Sequence, residues 1–576
     1  MEEADIVVIG AGWYGLAAAK TFIELNPEVD LIVLDGSPTV GGVWSEHRLY
    51  PGLKSNNMKG KLEYSDFPMD EATYRVKHGE HVPGPVLHQY LTAYSKKFDV
   101  HRRIRFNTWA QTVERIESGG WLITTTSNVS GAPEESQIRT KKLVVATGLT
   151  SGPFMPAFIG AESFNAPLFH TKDFAKNADT IQSARSVTVF GGTKSAWDAA
   201  YEYAAAGVPV NMVIRESGHG PVWMAPAYVT PFKIWLEKLV FTRLLTWFSP
   251  CVWGDADGYP RIRRFLHGTA VGRWIVDTFW GILNNDVIQL NGYDEHPETK
   301  KLKPWYGSFW IGGGLSITNH GGDFFEMVRR GKIKVYIADM IRLSERTVHL
   351  STGEALKSDA LICATGWKHL PPIKFLPEGI DADLGLPHYT SQPDPIFRKA
   401  DAEILARYPR LKAQPPGNPH FKPLPRDEDD ASAPDATNEP WRLHRFMVPP
   451  AYIHDRSIAF AGMLIVICTC ISAQTQALWI AAYFANELDI TASDADIKWE
   501  MALHTQFGKW RYPCGYGARY PDFVFDAMPY LDMVLGDLGL RKWRKKGRLA
   551  EIVEPYGPED YKGLIDEWKA LRKKAQ

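Results

Sequence analysis

The chain has 576 residues, 45% apolar and 23% charged, an ordinary globular composition spread over more length than one core holds. Its 65 basic and 66 acidic residues leave a net charge of -1, which excludes a global electrostatic pull toward nucleic acid or an anionic membrane. Five cysteines, at 251, 363, 468, 470 and 514, are too sparse for a disulfide framework and lack metal-ligand spacing, so a reducing, cytoplasmic compartment and no metal are expected.

The N-terminal residues 1–12 carry no basic stretch ahead of an apolar run, so no secretory signal is expected. Asp5–Ile9 is an almost continuous apolar run, the pattern of a parallel strand buried on both faces. A helix is predicted over Leu16–Leu25 and a second strand over Asp30–Leu34, ending at Asp35. Between the first strand and the helix stands Gly10-Ala11-Gly12-Trp13-Tyr14-Gly15, a GxGxxG turn in the right setting. The first Gly makes the tight turn, the second admits a pyrophosphate, and the third lets helix and strand pack closely. The helix N-terminus then faces the anion with unpaired N–H groups. Asp35, twenty residues after Gly15, suits ribose hydroxyls. Gly10, Gly12, Trp13, Gly15 and Asp35 are therefore candidate dinucleotide ligands.

A polar stretch with Gly41, Gly42 and Pro51 leads to His88–Phe98, which has helical apolar spacing. Strands are predicted at Trp121–Thr125 and Lys142–Ala146. A second unit begins with the strand Val187–Phe190, turns at Gly191–Gly192, and continues as a helix over Ala196–Ala205 and a strand over Val208–Ile214. Its turn is imperfect, because Thr193 displaces the middle Gly and Ala196 the last. Both replacements are small enough to keep the packing. Arg215 ends the second strand, where an acid would prefer NAD and a cation meets a 2′-phosphate. Lys194 adds charge, so NADPH is expected, although Glu216 argues the other way and Arg215 has a plain reading as a solvated surface charge. Gly191, Thr193, Lys194, Ser195 and Arg215 are the candidate ligands.

Residues 220–320 are aromatic-rich and are read as a mostly helical insertion that shapes a pocket. Within them residues 232–248 have charges at helical spacing, which predicts an amphipathic helix; weak contact of that helix with a membrane surface stays open. The apolar run Ala459–Ala473 is shorter than a spanning helix needs. Further strands are predicted at Ile333–Ile337, Thr347–Leu350, Ala360–Ala364 and Arg456–Ala461, and a helix at Ala473–Glu487. Residues 392–450 are dense in Pro and Asp and read as a long surface loop. The expected division is 1–152, 153–345, 346–490 and a helical extension over 491–576.

Two Ala-Thr-Gly tripeptides, at 146–148 and 364–366, each close a buried strand, one after each Gly turn. With Gly41-Gly42-Val43-Trp44, Tyr50-Pro51-Gly52-Leu53-Lys54-Ser55-Asn56, Ser65-Asp66-Phe67-Pro68-Met69 and Gln474–Phe484, they resemble the class B flavin-dependent monooxygenases over residues 5 to about 490. Within that group the resemblance is to flavin-containing monooxygenases that oxygenate N or S, and most to members of fungal biosynthetic pathways. The family signature FxGxxxHxxx(Y/F) is matched by Phe164 to Phe174 with His170 in register, but Ala166 replaces its Gly. The Baeyer–Villiger type closes this signature with Trp-Pro, absent here, and carries an Asp where Asn56 stands.

The resemblance implies an α/β fold with two Rossmann-like domains, the NADPH domain inserted in the FAD domain, plus helical insertions. It implies FAD on the first turn and NADPH on the second. Asn56 is expected beside the flavin's reactive edge, and His170 is expected to couple domain geometry to nicotinamide binding, against its plain reading as a satisfied linker histidine. Gly42, Val43, Trp44, Ser55, Val113 and Gly366 are further candidate cofactor contacts, and Asp66 is expected to hold the turn before Pro68. The implied activity begins with NADPH reducing FAD and O2 adding to the reduced flavin. The C4a-hydroperoxide then passes one oxygen atom to a small, apolar organic substrate, in secondary metabolism. Baeyer–Villiger insertion into a ketone, hydroxylation of an activated carbon, and NADPH oxidation without oxygen insertion remain as alternatives. A disulfide reductase needs a CxxC pair, and none exists; the Asn56 neighbourhood and both cofactor turns argue against a non-enzymatic flavin or dinucleotide sensor, which the imperfect second turn and Ala166 leave open.

Overall fold

The computed structural model describes residues 1–128, 133–229, 233–426 and 437–575. Two sheets organise it. The first runs, in order, Lys374–Leu376, Thr108–Arg115, Trp121–Ser127, Glu134–Val145, Glu2–Ile9, Leu31–Leu34 and Ile104–Arg105, with Ile458–Phe460 also beside Glu134–Val145. Strands 2–9, 31–34 and 134–145 pair in parallel, while 108–115, 121–127 and 134–145 form an antiparallel arm. The second sheet is wholly parallel, in the order Leu168–His170, Leu361–Cys363, Val187–Phe190, Val210–Ile214 and Ile333–Ile337. Its three inner strands are largely buried apolar runs, as both-face burial requires.

The first sheet thus takes strands from both sides of the second in the sequence, so one dinucleotide-type unit is inserted in the other, as expected. The expected limit of the inserted unit at residue 345 is too early. Leu361–Cys363 lies inside the second sheet, and the hairpin strands Met340–Ser344, Thr347–Leu350 and Ala355–Lys357 pack Leu343, Val348 and Leu356 against Phe190 and Val213. The second Ala-Thr-Gly therefore closes the inserted unit from within.

Two further readings are also corrected. Residues 392–450 contain the helix Pro395–Arg407, started by Asp394 accepting from Ile396 N at 2.9 Å. Trp441, Phe446 and Met447 lie in the core. Only 427–436 of that stretch fall outside the described residues. The described part of 232–248 is not one amphipathic helix but two short ones, Leu236–Val240 and Arg243–Thr246. Its charges are partly internal: Arg243 is fully buried against Asp532 and Glu551. Among the described residues no helix is long and apolar enough to cross a membrane.

The insertion does carry long helices, Pro260–Gly268 and Ala270–Leu290. They share one core with the C-terminal extension. Trp253 packs on Phe446, Phe507 and Phe523, and Trp280 on Phe525. Insertion and extension form a single cap.

Candidate functional site

The first turn is built for a close approach. Gly10 has φ +113°, and a Cβ there would overlap the Ala146 carbonyl oxygen, so the position takes only glycine. A Cβ on Gly15 would strike the Gly10 carbonyl. The helix Trp13–Leu25 starts after Gly12 with no side-chain cap, which leaves its first N–H groups for an anion. Thr147 Oγ1, next to this turn, is buried with no partner. Gly41 N donates to Ala11 O at 2.9 Å, and Val43 is exposed at the tip of the Gly42–Trp44 turn. These features fit the pyrophosphate of a dinucleotide.

Asp35 lies where the sequence puts it, but it has a second task. Its carboxylate accepts from Ala11 N at 2.6 Å and from Ser37 N at 2.7 Å, which braces the turn. Burial raises its pKa against those two bonds. Trp13 is an internal pillar, packed on Tyr64 and Tyr90, with its carbonyl taking the Tyr64 hydroxyl at 2.5 Å. Asp66 receives Lys20 Nζ. Three of the candidate cofactor residues have side chains engaged within the protein. Ser55 is fully buried as a clasp, accepting from Val82 N at 3.0 Å and donating to Asn57 O. Val113 is a core residue of the antiparallel arm. Trp13 faces its own core instead of a ligand.

The second turn repeats the first with different charge. Gly191 has φ +140°, and a Cβ there would lie 2.5 Å from the Ala364 carbonyl oxygen. The helix Lys194–Ala205 also starts without a side-chain cap, after Thr193. A cavity of about 580 Å³ opens in front of it and gathers Gly191, Thr193, Lys194, Ser195, Arg215 and Gly366. Asn56 and His170 line the same cavity. Eight sequence candidates therefore converge on one space.

Two of the cations there are already engaged. Lys194 Nζ pairs with Asp198 and donates to Asn319 Oδ1 at 2.7 Å. Arg215 donates to Ser217 O at 3.1 Å, Ser217 Oγ at 2.9 Å and Lys422 O. His170 is 3% exposed and stands edge-on to Trp367 at 4.9 Å. Its Nδ1 accepts from Lys172 N at 3.1 Å, which assigns the proton to Nε2. Nε2 has no protein partner. Burial pushes this imidazole down to about 4, so it is a neutral N–H donor at pH 7.

Asn56 lies on the strand Lys54–Met58 and also borders a second cavity of about 230 Å³. Its Nδ2 donates to Ser316 Oγ at 3.2 Å. The second cavity is walled by Leu236, Val240, Leu283, Val287, Trp223 and Phe525. One carboxylate, Glu237, sits in that wall. It accepts from Asn57 Nδ2, Met58 N at 3.1 Å and Trp235 Nε1 at 3.2 Å, and so fixes the strand that presents Asn56. Sequence reasoning missed Ser316, Glu237 and the cavity-lining Gly462 and Ile465. No local motif marks them, since Asn56 and Ser316 are 260 residues apart.

Comparison with known proteins agrees with this layout. A family described as pyridine nucleotide-disulphide oxidoreductase matches residues 7–240. The FAD-dependent monooxygenase resA of Aspergillus sclerotiorum is 35% identical, over 98% of this chain and 98% of its own. The FAD-dependent monooxygenase DEP4 of Alternaria brassicicola is 32% identical, over 100% and 96%. In fold the chain is similar to closed cyclohexanone monooxygenase, with TM-score 0.57 and 16% identity over 99% of this chain and 98% of that one. It is also similar to S-allyl-L-cysteine S-oxygenase from Allium sativum, with TM-score 0.51 and 13% identity over 99% and 93%. The chain belongs to the family of FAD-dependent monooxygenases. It is a flavin-dependent oxidoreductase, and FAD is its cofactor. The disulphide chemistry in the name of the matching family has no counterpart here. All five cysteines are free, and none stands in a CxxC pair.

Proposed function

We propose that this monooxygenase draws its electrons from NADPH and inserts one atom of O2 into a small, apolar organic substrate bound beside Asn56. The supporting observation is that Asn56 borders both cavities at once. One leads to the second Gly turn and Arg215, the other is a small pocket with apolar walls. Bound FAD supplies the electron transfer and the activation of O2. In balance, substrate, O2, NADPH and one proton give oxygenated substrate, water and NADP+.

The chain's own residues orient and exclude. Ser316 takes one N–H of the Asn56 amide, which leaves its carbonyl oxygen and second N–H for bound groups. A neutral amide donates without adding a competing charge. His170, neutral with a free Nε2–H, serves as a fixed donor in the NADPH cavity and not as a proton carrier. The apolar walls keep water from the reacting centre. A place in fungal-type small-molecule biosynthesis belongs to the same proposal and rests on likeness to enzymes from fungi.

The test is isotopic. Thioethers, tertiary amines, ketones and electron-rich alkenes are offered with NADPH under 18O2. Incorporation of one 18O atom per NADPH oxidised, in any of the four classes, supports the reading and names the substrate type. NADPH oxidation that yields hydrogen peroxide in full with all four contradicts it.

A further inference from the structure

The larger cavity has three Lys or Arg side chains in its lining, Lys194, Arg215 and Arg519. The first two are tied to protein acceptors, as described above. Arg519 comes from the C-terminal extension, more than 300 residues beyond Arg215 in the chain. It is half-buried, and its guanidinium has no hydrogen-bond or carboxylate partner among the described residues. A guanidinium that lines the cavity with no protein acceptor keeps its donors for an anion there.

The segment that carries Arg519 is fixed to the cavity wall. Arg519 N donates to Tyr516 O at 2.8 Å, and Tyr516 and Tyr520 stack at 5.3 Å. His369 packs on Tyr520 at 4.7 Å. Just beyond, Ile465 N donates to Pro521 O at 2.9 Å, and Phe523 N to Ile465 O at 2.8 Å. Ile465 itself borders both cavities. Arg519 therefore does not dangle from a tail.

Its position relative to the second Gly unit is marked by His219, four residues after Arg215 in the turn that follows the strand Val210–Ile214. Enclosure in the wall, then Arg519, then Arg215 push the His219 imidazole down to about 4. Both guanidiniums thus act on one side chain, from opposite elements of the structure. The end of that strand is where a Rossmann unit meets the adenosine ribose and its 2′-phosphate.

We propose that Arg519 is a cofactor-discriminating residue that binds the 2′-phosphate of NADPH from across the cavity, so that the C-terminal extension takes part in choosing NADPH over NADH. The inference rests on the proposed use of NADPH. Arg215 then orders the turn, through Ser217 and the Lys422 carbonyl, and Arg519 supplies the uncommitted charge. Neither residue alone fills the role expected of Arg215.

The experiment compares wild type, Arg519→Gln and Arg519→Lys as FAD-loaded enzymes. Anaerobic flavin reduction is followed against NADPH and NADH concentration, with flavin content and Tm as checks on folding. The expected result is a weakening of NADPH binding by about tenfold to a hundredfold in Arg519→Gln, as loss of a charge-assisted pair implies. Arg519→Lys recovers part of it, and NADH binding changes less than about threefold. Equal weakening of both nucleotides, or of neither, overturns the inference. So does a change confined to the KM of a carboxylate-bearing substrate, since the anion would then be the substrate's. Failure of the underlying reading looks different, because wild type itself would then not be reduced by NADPH.

Discussion

The two Gly turns share a skeleton and differ in what surrounds it. In each, a left-handed glycine lies against the carbonyl of an Ala-Thr-Gly alanine, and the following helix begins uncapped. At the first turn the distal residue is Asp35, which hydrogen-bonds the turn itself. At the second it is Arg215, which bonds Ser217 and Lys422 and leaves its own turn alone. The backbone geometry of a dinucleotide site is thus set locally, by single-residue sterics. Its charge is set by whatever the rest of the chain brings near.

The comparison breaks most severely at the shared glycines. Gly10→Ala forces a Cβ onto the Ala146 carbonyl in a left-handed backbone, a strain with no cheap relief. Protein free of flavin, or insoluble, is expected, and flavin absorbance against protein absorbance reads it. Gly191→Ala meets the Ala364 carbonyl in the same way, but the loss is confined to the inserted unit. Flavin is retained, and the KM for NADPH rises by about a hundredfold or more, the scale of 3 kcal/mol. If both variants lose flavin equally, the two turns are not the separate sites described.

Smaller substitutions sharpen the contrast. Asp35→Asn keeps one acceptor but loses a charge and one of two braces, so FAD release quickens by about tenfold. Arg215→Gln weakens NADPH by only about threefold to tenfold, since that guanidinium is already spent on Ser217 and the Lys422 carbonyl. Dissociation kinetics and anaerobic titration measure the two.

The smallest effect concerns pH. The folded His170 takes a proton only near 4, against an ordinary value of 6.5. Between those values the unfolded chain binds a proton that the folded chain refuses, so stability falls as pH falls through that window. Wild type is expected to lose more stability than His170→Gln between pH 7 and pH 5 in urea unfolding. Parallel losses would mean that His170 is not held neutral by burial.

Where the physics is local, the sequence was readable. The strands at Val187–Phe190, Ile333–Ile337 and Thr347–Leu350 lie where periodicity puts them, and both turns announce themselves within a few residues. The cap was not readable, because its logic is long-range. Arg243 looked like the polar face of a surface helix, yet its partner Asp532 is 289 residues away and both are buried. Glu237 misled in the same way, since the groups that donate to it, Asn57 Nδ2 and Met58 N, lie on another element. Ser55, which stands beside Asn56 in the sequence, shows the converse: its neighbour lines both cavities, while its own side chain is spent on Val82 and Asn57.

The central claim is that one space joins an NADPH site to an oxygen-activating flavin beside Asn56. Stopped-flow mixing tests it most directly. The FAD-loaded protein is reduced anaerobically with one equivalent of NADPH and then mixed with oxygenated buffer. The account predicts rapid bleaching by NADPH, then an absorbance distinct from reduced and oxidised flavin that outlasts mixing, with slow release of hydrogen peroxide. Direct return to oxidised flavin at the rate of free reduced flavin, with prompt stoichiometric hydrogen peroxide, would contradict it.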